Sequence, residues 1–263
     1  MGSSVLSVEE FAFTGARLPA GWDGGRLVVL SDLHGKRFGR QNSRLLEAVR
    51  KAGPDVICLC GDMMDEWSGT EYLRPLLEGL VEIAPVYYVT GNHEYNYGMA
   101  TLEKVLSQQK AKVLTGNVYS PEGKPLADGY TIINKGGVKI GVIGMVTPNI
   151  TRWDAKNLEG WTVTNPVDES RKIIDKIKND VDVIIGVMHM DVDNEYGVYG
   201  SGVTDLANAC PEFDVIVAAH GHKSIPNQMI NNVLVVENKN AGATVSEIHL
   251  YLQRGLDGKW KVK

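Results

Sequence analysis

What most constrains this chain is a repeated punctuation. Short apolar runs rich in Val and Ile lie at 27–30, 56–60, 86–89, 140–146, 181–188 and 215–219, and most of them run into Asp, Asn or His. Between them lie segments of helical period at 42–51, 72–83, 99–109, 168–178 and 203–209. Runs apolar on both faces are strands buried on both faces, and their alternation with helices requires an α/β architecture. Later in the chain the pattern changes. Residues 228–237 read as a hairpin turning at Asn231-Asn232, Gly136-Gly137 marks another hairpin between 131–133 and 138–140, and 244–252 alternates like a half-exposed strand. These features predict a second, more antiparallel sheet.

At 263 residues the chain sits near the upper size of one hydrophobic core, so a single domain over 1–263 is expected. Its formal charge of -5 lacks the basic footprint needed to wrap nucleic acid or anionic lipid, so no stable nucleic-acid complex is expected and any phosphate must be held locally. No apolar run approaches the roughly 20 residues of a membrane span. Cys58, Cys60 and Cys210 have no zinc-type spacing and read as buried reduced thiols, in keeping with a cytoplasmic location. The oligomeric state is left open.

The chemistry sits where the runs end. The run at 27–30 leads into Ser31-Asp32-Leu33-His34, 56–60 into Gly61-Asp62, and 86–89 into Thr90-Gly91-Asn92-His93-Glu94. The run at 181–188 reaches His189, and 215–219 reaches His220-Gly221-His222. Of six histidines only His249 lies elsewhere, and the carboxyl ends of strands are where open α/β sheets carry their sites. Each element has a bland reading alone, since an Asp after a strand is usually a turn or cap. Together, Asp32, His34, Asp62, Asn92, His189, His220 and His222 offer carboxylate, amide oxygen and imidazole without thiolate. That donor set suits two divalent cations, Mn²⁺ best, with Fe or Zn²⁺ also compatible. Two neighbouring cations need a shared anionic ligand, and Asp62 is the natural bridge. A water held between such ions is activated near neutral pH for attack on a phosphoester.

At these residues the sequence resembles the calcineurin-like metallophosphoesterase superfamily, whose motifs D-x-H, G-D, G-N-H-E, H and G-H-x-H run in order from Asp32 to His222. The resemblance implies a four-layer α/β/β/α sandwich of two facing mixed sheets flanked by helices. It implies one metal on Asp32, His34, Asp62 and His222, and another on Asp62, Asn92, His189 and His220. His93 would face the phosphate unliganded and serve the leaving group. Ala219 replaces the first glycine of the last motif, which is harmless unless that position needs positive φ. Residues 91–98 and 214–243 resemble the metal domain of 5′-nucleotidases and 2′,3′-cyclic-nucleotide phosphodiesterases. The first third, with Leu18-Pro19 and 31–39, resembles small single-domain bacterial phosphoesterases that are often membrane-anchored. A natural or engineered mosaic, and a trimmed N-terminal anchor or signal, are therefore part of the expectation.

The implied activity is hydrolysis of small phosphomonoesters or phosphodiesters, with nucleotides or cyclic nucleotides as the substrate class. The alternatives are hydrolysis of a lipid-linked phosphodiester or pyrophosphate, and a catalytically weak metal-binding or scaffold protein. The chain ends soon after its last strand pattern, so no second, nucleotide-gripping domain is expected. Many nucleotidases place Asp three residues after the catalytic histidine; here the position is Asn96, which accepts the imidazole N–H but stabilises its charge less. That predicts a weaker general acid and a preference for good leaving groups. Tyr95, Tyr97, Tyr196 and Arg152 are the candidate substrate contacts.

Overall fold

The computed structural model describes residues 9–12, 25–250, 252–254 and 260–262; Leu18-Pro19, part of the resemblance above, lies outside them. In chain order the elements are β1 (Glu9–Ala12), β2 (Gly25–Leu30), α1 (Ser43–Ala52), β3 (Val56–Cys60), α2 (Leu73–Val81), β4 (Val86–Val89), α3 (Met99–Gln108), β5 (Lys112–Val113), β6 (Val118–Tyr119), β7 (Tyr130–Lys135) and β8 (Val138–Val146). There follow α4 (Ile150–Trp153), β9 (Thr162–Val163), α5 (Pro166–Ile177), β10 (Val183–His189), α6 (Val203–Ala209), β11 (Val215–Ala218), β12 (Ile225–Ile230), β13 (Val233–Glu237), β14 (Ser246–Leu250), β15 (Leu252–Arg254) and β16 (Trp260–Val262).

Two six-stranded sheets carry the fold, in the orders β1-β14-β2-β3-β4-β5 and β12-β13-β11-β10-β8-β7. Strict alternation along the strands divides the apolar side chains between layers. Leu27, Val29, Cys58 and Cys60 of the first sheet meet Ile140, Val142, Ile185, Val187 and Val217 of the second in a shared inner core. The opposite faces pack outward: Val28, Leu30, Ile57 and Leu59 against Leu45, Leu76 and Leu77 of α1 and α2, and Ile184, Ile216 and Val235 against Ile174, Ile177 and Leu206 of α5 and α6. The result is the expected sandwich of facing mixed sheets flanked by helices.

Local chemistry explains the boundaries. Helix α5 starts where the Asn165 side chain accepts the Val167 N–H at 2.8 Å, with Pro166 in the first turn and Asp168 and Glu169 facing the positive helix end. Both hairpin signals hold. The β7–β8 turn has φ of 59° at Gly136 and 82° at Gly137, and the β12–β13 turn 47° at Asn231 and 66° at Asn232, the conformations a two-residue turn requires.

One expectation is corrected in part. The second sheet does carry more antiparallel pairs than the first, β12–β13 and β7–β8, but it does not take every later strand, and β15 pairs antiparallel with β16 in a two-stranded sheet of its own. Strand β14 crosses to the first sheet and pairs antiparallel with β2, Ser246 opposite Val29, while β12 and β13 extend the second sheet. The alternating pattern of 244–252 fixes a strand's faces, but its partner β2 lies near the other end of the chain and leaves no local signal. Within each sheet the parallel strands β2, β3 and β4, and β8, β10 and β11, bring their carboxyl ends to one edge. Among the described residues no helix is long and apolar enough to cross a membrane. All three cysteines are buried and unpaired, and burial pushes the Cys58 thiol up to about 12.

Asp214 ties the start of this second sheet together, its Oδ2 accepting the Ile184 N–H at 2.9 Å. Burial pushes its carboxyl up to about 6, the Ile184 bond opposing. A carboxyl raised in the folded state supports folding fully below its unfolded value, near pH 4, and that support is lost as pH rises through about 6. Asp214→Asn is therefore expected to gain stability relative to the native chain above pH 6, by about 2 kcal/mol, with the gain shrinking towards pH 4. Thermal unfolding of both across this range checks it; a pH-independent difference would rule it out.

Candidate metal centre

The strand ends do not simply run into the site; they turn there in a conformation that side chains avoid. Asp32, His34, Asp62, His220 and His222 have φ of 49°, 48°, 52°, 76° and 56°. Non-glycine residues in the left-handed region cost about 1 kcal/mol or more each and persist only where the surroundings over-determine them. Here the surroundings do. The loops after β2 and β3 are laced together by Asp32 N to Gly61 O, His34 N to Asp62 O and Gly35 N to Met63 O, each 3.0 Å. His220 N donates to Asp32 Oδ1 at 3.2 Å and joins the second sheet's loop to the first. Ala219 itself is not among the positive-φ residues, so its methyl replaces the motif's glycine without strain.

Glu94 is the clamp beneath these loops, and the motif alone did not reveal its role. Fully buried, its carboxylate accepts the backbone N–H groups of Asp62 at 2.8 Å, Met63 at 2.8 Å, Met64 at 3.2 Å and Gly91 at 2.6 Å. Gly91 must stay bare, because a Cβ there would lie 2.5 Å from Asp62 N and 2.7 Å from His189 Cε1.

The ligand atoms of Asp32, His34 and His222 lie within 4.8 Å of one another, as do those of Asp62, His189 and His220, and those of His34, Asp62 and His93. Asp62 belongs to two of these groups. The chemistry of the donors fits cations. His189 Nδ1 donates to Cys60 O at 2.8 Å, which leaves Nε2 a lone pair; that lone pair faces Asn92 Oδ1 at 3.1 Å and Asp62 Oδ2 at 3.3 Å, both acceptors. His34 Nε2 meets His222 Nε2 at 3.2 Å, and Asp32 Oδ2 is buried with no hydrogen-bond partner among the described residues. Around His189 such converging lone pairs repel unless a proton or a metal ion enters between them, whereas His34 and His222 can share one imidazole N–H. With protons alone, burial disfavours the charged His189, yet the Asp62 carboxylate outweighs burial and pushes it up to about 10. His222 is likewise raised, chiefly by its hydrogen bond to Asp32, while burial lowers His34.

His93 stands beside this cluster, its ring edge-on to His34 at 5.0 Å between centroids. Residues 93–97 form a 3₁₀ turn, whose three-residue period sets His93 and Asn96 on one side. Asn96 Oδ1 takes the His93 Nδ1–H at 2.8 Å, and Asn96 Nδ2 donates to both oxygens of Asp154, at 3.1 and 3.2 Å. The histidine's partner is thus uncharged, but a carboxylate stands directly behind it.

Of the candidate substrate contacts, the structure brings two to the site and turns two away. The 3₁₀ turn points Tyr95 inward, where it is fully buried with Met99, Leu102 and Val118, its hydroxyl 2.9 Å from Thr90 Oγ1. Tyr97 uses its hydroxyl to donate to Asp65 O at 2.6 Å and to accept Gly69 N–H at 3.1 Å, bracing the 65–69 loop. Tyr196 and Arg152 do meet, the guanidinium 4.4 Å from the ring centroid. Trp153 completes this exposed wall, its ring 6.2 Å from Tyr196 and 5.1 Å from His220. Glu195, for which the sequence carried no signal, lies 3.2 Å from His220 Nε2 and accepts from Asn149 Nδ2 at 3.3 Å.

A family model described as calcineurin-like phosphoesterase matches residues 25–224. The chain is 32% identical over 198 residues to the trifunctional nucleotide phosphoesterase protein YfkN of Bacillus subtilis, covering 65% of this chain and 14% of that protein. It is 28% identical over 225 residues to a 5′-nucleotidase of Vibrio cholerae, covering 76% of this chain and 41% of that protein. The chain therefore spans less than half the length of these relatives. The crystal structure of the calcineurin-like phosphoesterase YfkN from Bacillus subtilis superposes with a TM-score of 0.77 at 24% identity, covering 90% of this chain and 87% of that one.

Glu94 offers a direct check on how the site is held. In Glu94→Gln one oxygen becomes a donor facing donors, so stability should fall by about 2–4 kcal/mol and Mn²⁺ affinity by about tenfold or more. Thermal unfolding and Mn²⁺ titration measure both; native values for the variant would show that Glu94 is not the clamp.

Proposed function

Because the chain belongs to the calcineurin-like phosphoesterase family, we propose that it is a metal-dependent hydrolase of small phosphate esters, with nucleotides or cyclic nucleotides as its substrates. The observation that carries this reading is that Asp62 groups both with His189 and His220 and with His34 and His93, while His34 also groups with Asp32 and His222, so the three clusters form one continuous set of donors around Asp62 and His34. Asp32, His34, Asp62 and His222 would hold one ion, and Asp62, Asn92, His189 and His220 the other. Mn²⁺ fits this oxygen-and-imidazole set best, with Fe and Zn²⁺ compatible. Bound divalent ions supply Lewis acidity towards the phosphoryl group and an activated water near neutral pH.

The protein's own residues supply the rest. His93 holds its Nδ1 proton on Asn96, which leaves Nε2 to take up a second proton from solvent; the resulting imidazolium can deliver that proton to the departing oxygen and return to the Nδ1–H form. The clamp of Glu94 and the laced loops fix the ligands before substrate arrives, so little reorganisation accompanies reaction. Trp153 and Tyr196 are exposed on the His220 side and offer π-faces on which a nucleobase can stack. Arg152 adds a cation at the same wall, where the phosphate side of a nucleotide would profit from it.

Stacking on one aromatic ring is worth about 1–3 kcal/mol per base, or roughly tenfold in binding. Tyr196→Ala is expected to raise KM for a nucleoside monophosphate or a 2′,3′-cyclic nucleotide by about tenfold while leaving glycerol phosphate nearly unchanged. Steady-state kinetics on the Mn²⁺-loaded enzyme make the comparison. Equal effects on both substrates would remove the stacking role, and no turnover of any nucleotide would remove the substrate class.

A further inference from the structure

We propose that Asp154 is a positioning residue for the reaction, acting on His93 through Asn96; this rests on the phosphoesterase reading above. Asp154 closes α4, and that short turn faces two ways. Arg152 and Trp153 point out to the substrate wall, while Asp154 turns in and is only 5% exposed. Its carboxylate takes Asn96 Nδ2 on both oxygens and Asn157 Nδ2 on Oδ1 at 3.0 Å. Among the described residues its side-chain donors are these two neutral amides. A buried carboxylate without a cationic partner is costly to keep, and an asparagine there could hold the turn at less cost.

What the charge accomplishes is visible in the direction of each bond. A carboxylate only accepts, so both of its oxygens require the NH₂ end of Asn96 to face it. The carbonyl end of Asn96 must then face His93, and at 2.8 Å it can be satisfied only if His93 Nδ1 carries the proton. Nε2 is thereby left for the site. With the amide reversed, Asn96 would present N–H to Nδ1 and hold the neutral ring as the Nε2–H tautomer; Nδ1 could not then accept a proton, and donation from Nε2 would leave an imidazolate instead of passing through the imidazolium that serves the leaving group. Asp154 also sets negative charge one residue behind the imidazole, in the place where the sequence pattern had left only an amide. Because Asp154 and Trp153 are adjacent, the wall and the orientation of His93 are fixed by one turn.

The test uses the Mn²⁺-loaded enzyme and phosphate esters whose leaving groups run from p-nitrophenol to simple alcohols. Asp154→Ala is expected to lose about tenfold or more in kcat on alkyl esters but about threefold or less on the p-nitrophenyl ester, with metal content unchanged. Asn96→Asp alone sets two carboxylates face to face and should fall as well. The exchange Asn96→Asp with Asp154→Asn restores a carboxylate-and-amide pair, and should recover alkyl-ester activity to within about threefold of native. A uniform loss across leaving groups, or an exchange variant no better than either single variant, would overturn the proposal. If Asp154→Ala does not fold, the exchange variant decides alone.

A second readout needs no turnover. In the Zn²⁺-loaded protein, ring ¹⁵N shifts should show His93 as the Nδ1–H tautomer in the native chain and as a mixture in Asp154→Ala. An unchanged tautomer overturns the positioning role whatever the activity. A changed tautomer in a chain that hydrolyses no ester upholds the role and rejects the phosphoesterase reading instead.

Discussion

Facing lone pairs at the carboxyl edge of two sheets are the constraint from which the remaining features of this molecule follow. His189 Nε2, Asn92 Oδ1 and Asp62 Oδ2 point at one another with no proton between them when the ring is neutral, and His34 and His222 bring two imidazole nitrogens to 3.2 Å. Left alone, such an arrangement would relax apart. It is held by means that are all short-range and backbone-based: left-handed turns at five of the candidate ligands, paired loops after β2 and β3, and a buried Glu94 that takes four amide hydrogens. Burial would drive the Asp62 carboxyl up, but His189 beside it holds it below the usual carboxylate range. Asp62 therefore stays ionised, and a divalent ion entering the site would take the place of the His189 proton as its positive partner.

Much of this was legible in the sequence because it is local. Apolar runs on both faces set the strand positions, alternation set which side chains face the inner core, and the residues following each run set the candidate ligands. Hairpin turns at Gly136-Gly137 and Asn231-Asn232 were readable because only a few residue types tolerate positive φ twice in succession. The features that escaped are those decided by distant parts of the chain. The strand at 246–250 joins the first sheet through β2, and Asp154 reaches Asn96 across 58 residues. Glu195 meets His220 from the loop after β10, where no motif marks it.

Tyr95 and Tyr97 teach a narrower lesson. Both follow His93 closely in sequence, and adjacency alone offers them as substrate contacts. A 3₁₀ turn has three residues per turn, so His93 and Asn96 share a side while Tyr95 is carried into the core. The wall that does stand by the site comes instead from α4 and the loop after β10, brought together by the second sheet. Site-facing and core-facing residues thus alternate within single turns, and a reading by proximity in sequence cannot separate them.

The most direct test of the central claim is elemental analysis of the purified chain together with hydrolysis of bis(p-nitrophenyl) phosphate and p-nitrophenyl phosphate, with and without Mn²⁺, for the native chain and Asp62→Ala. The account predicts about two metal ions per native chain, metal-dependent turnover, and loss of both bound metal and turnover when the bridging carboxylate is removed. A native chain that binds no metal, or full activity in Asp62→Ala, would contradict it.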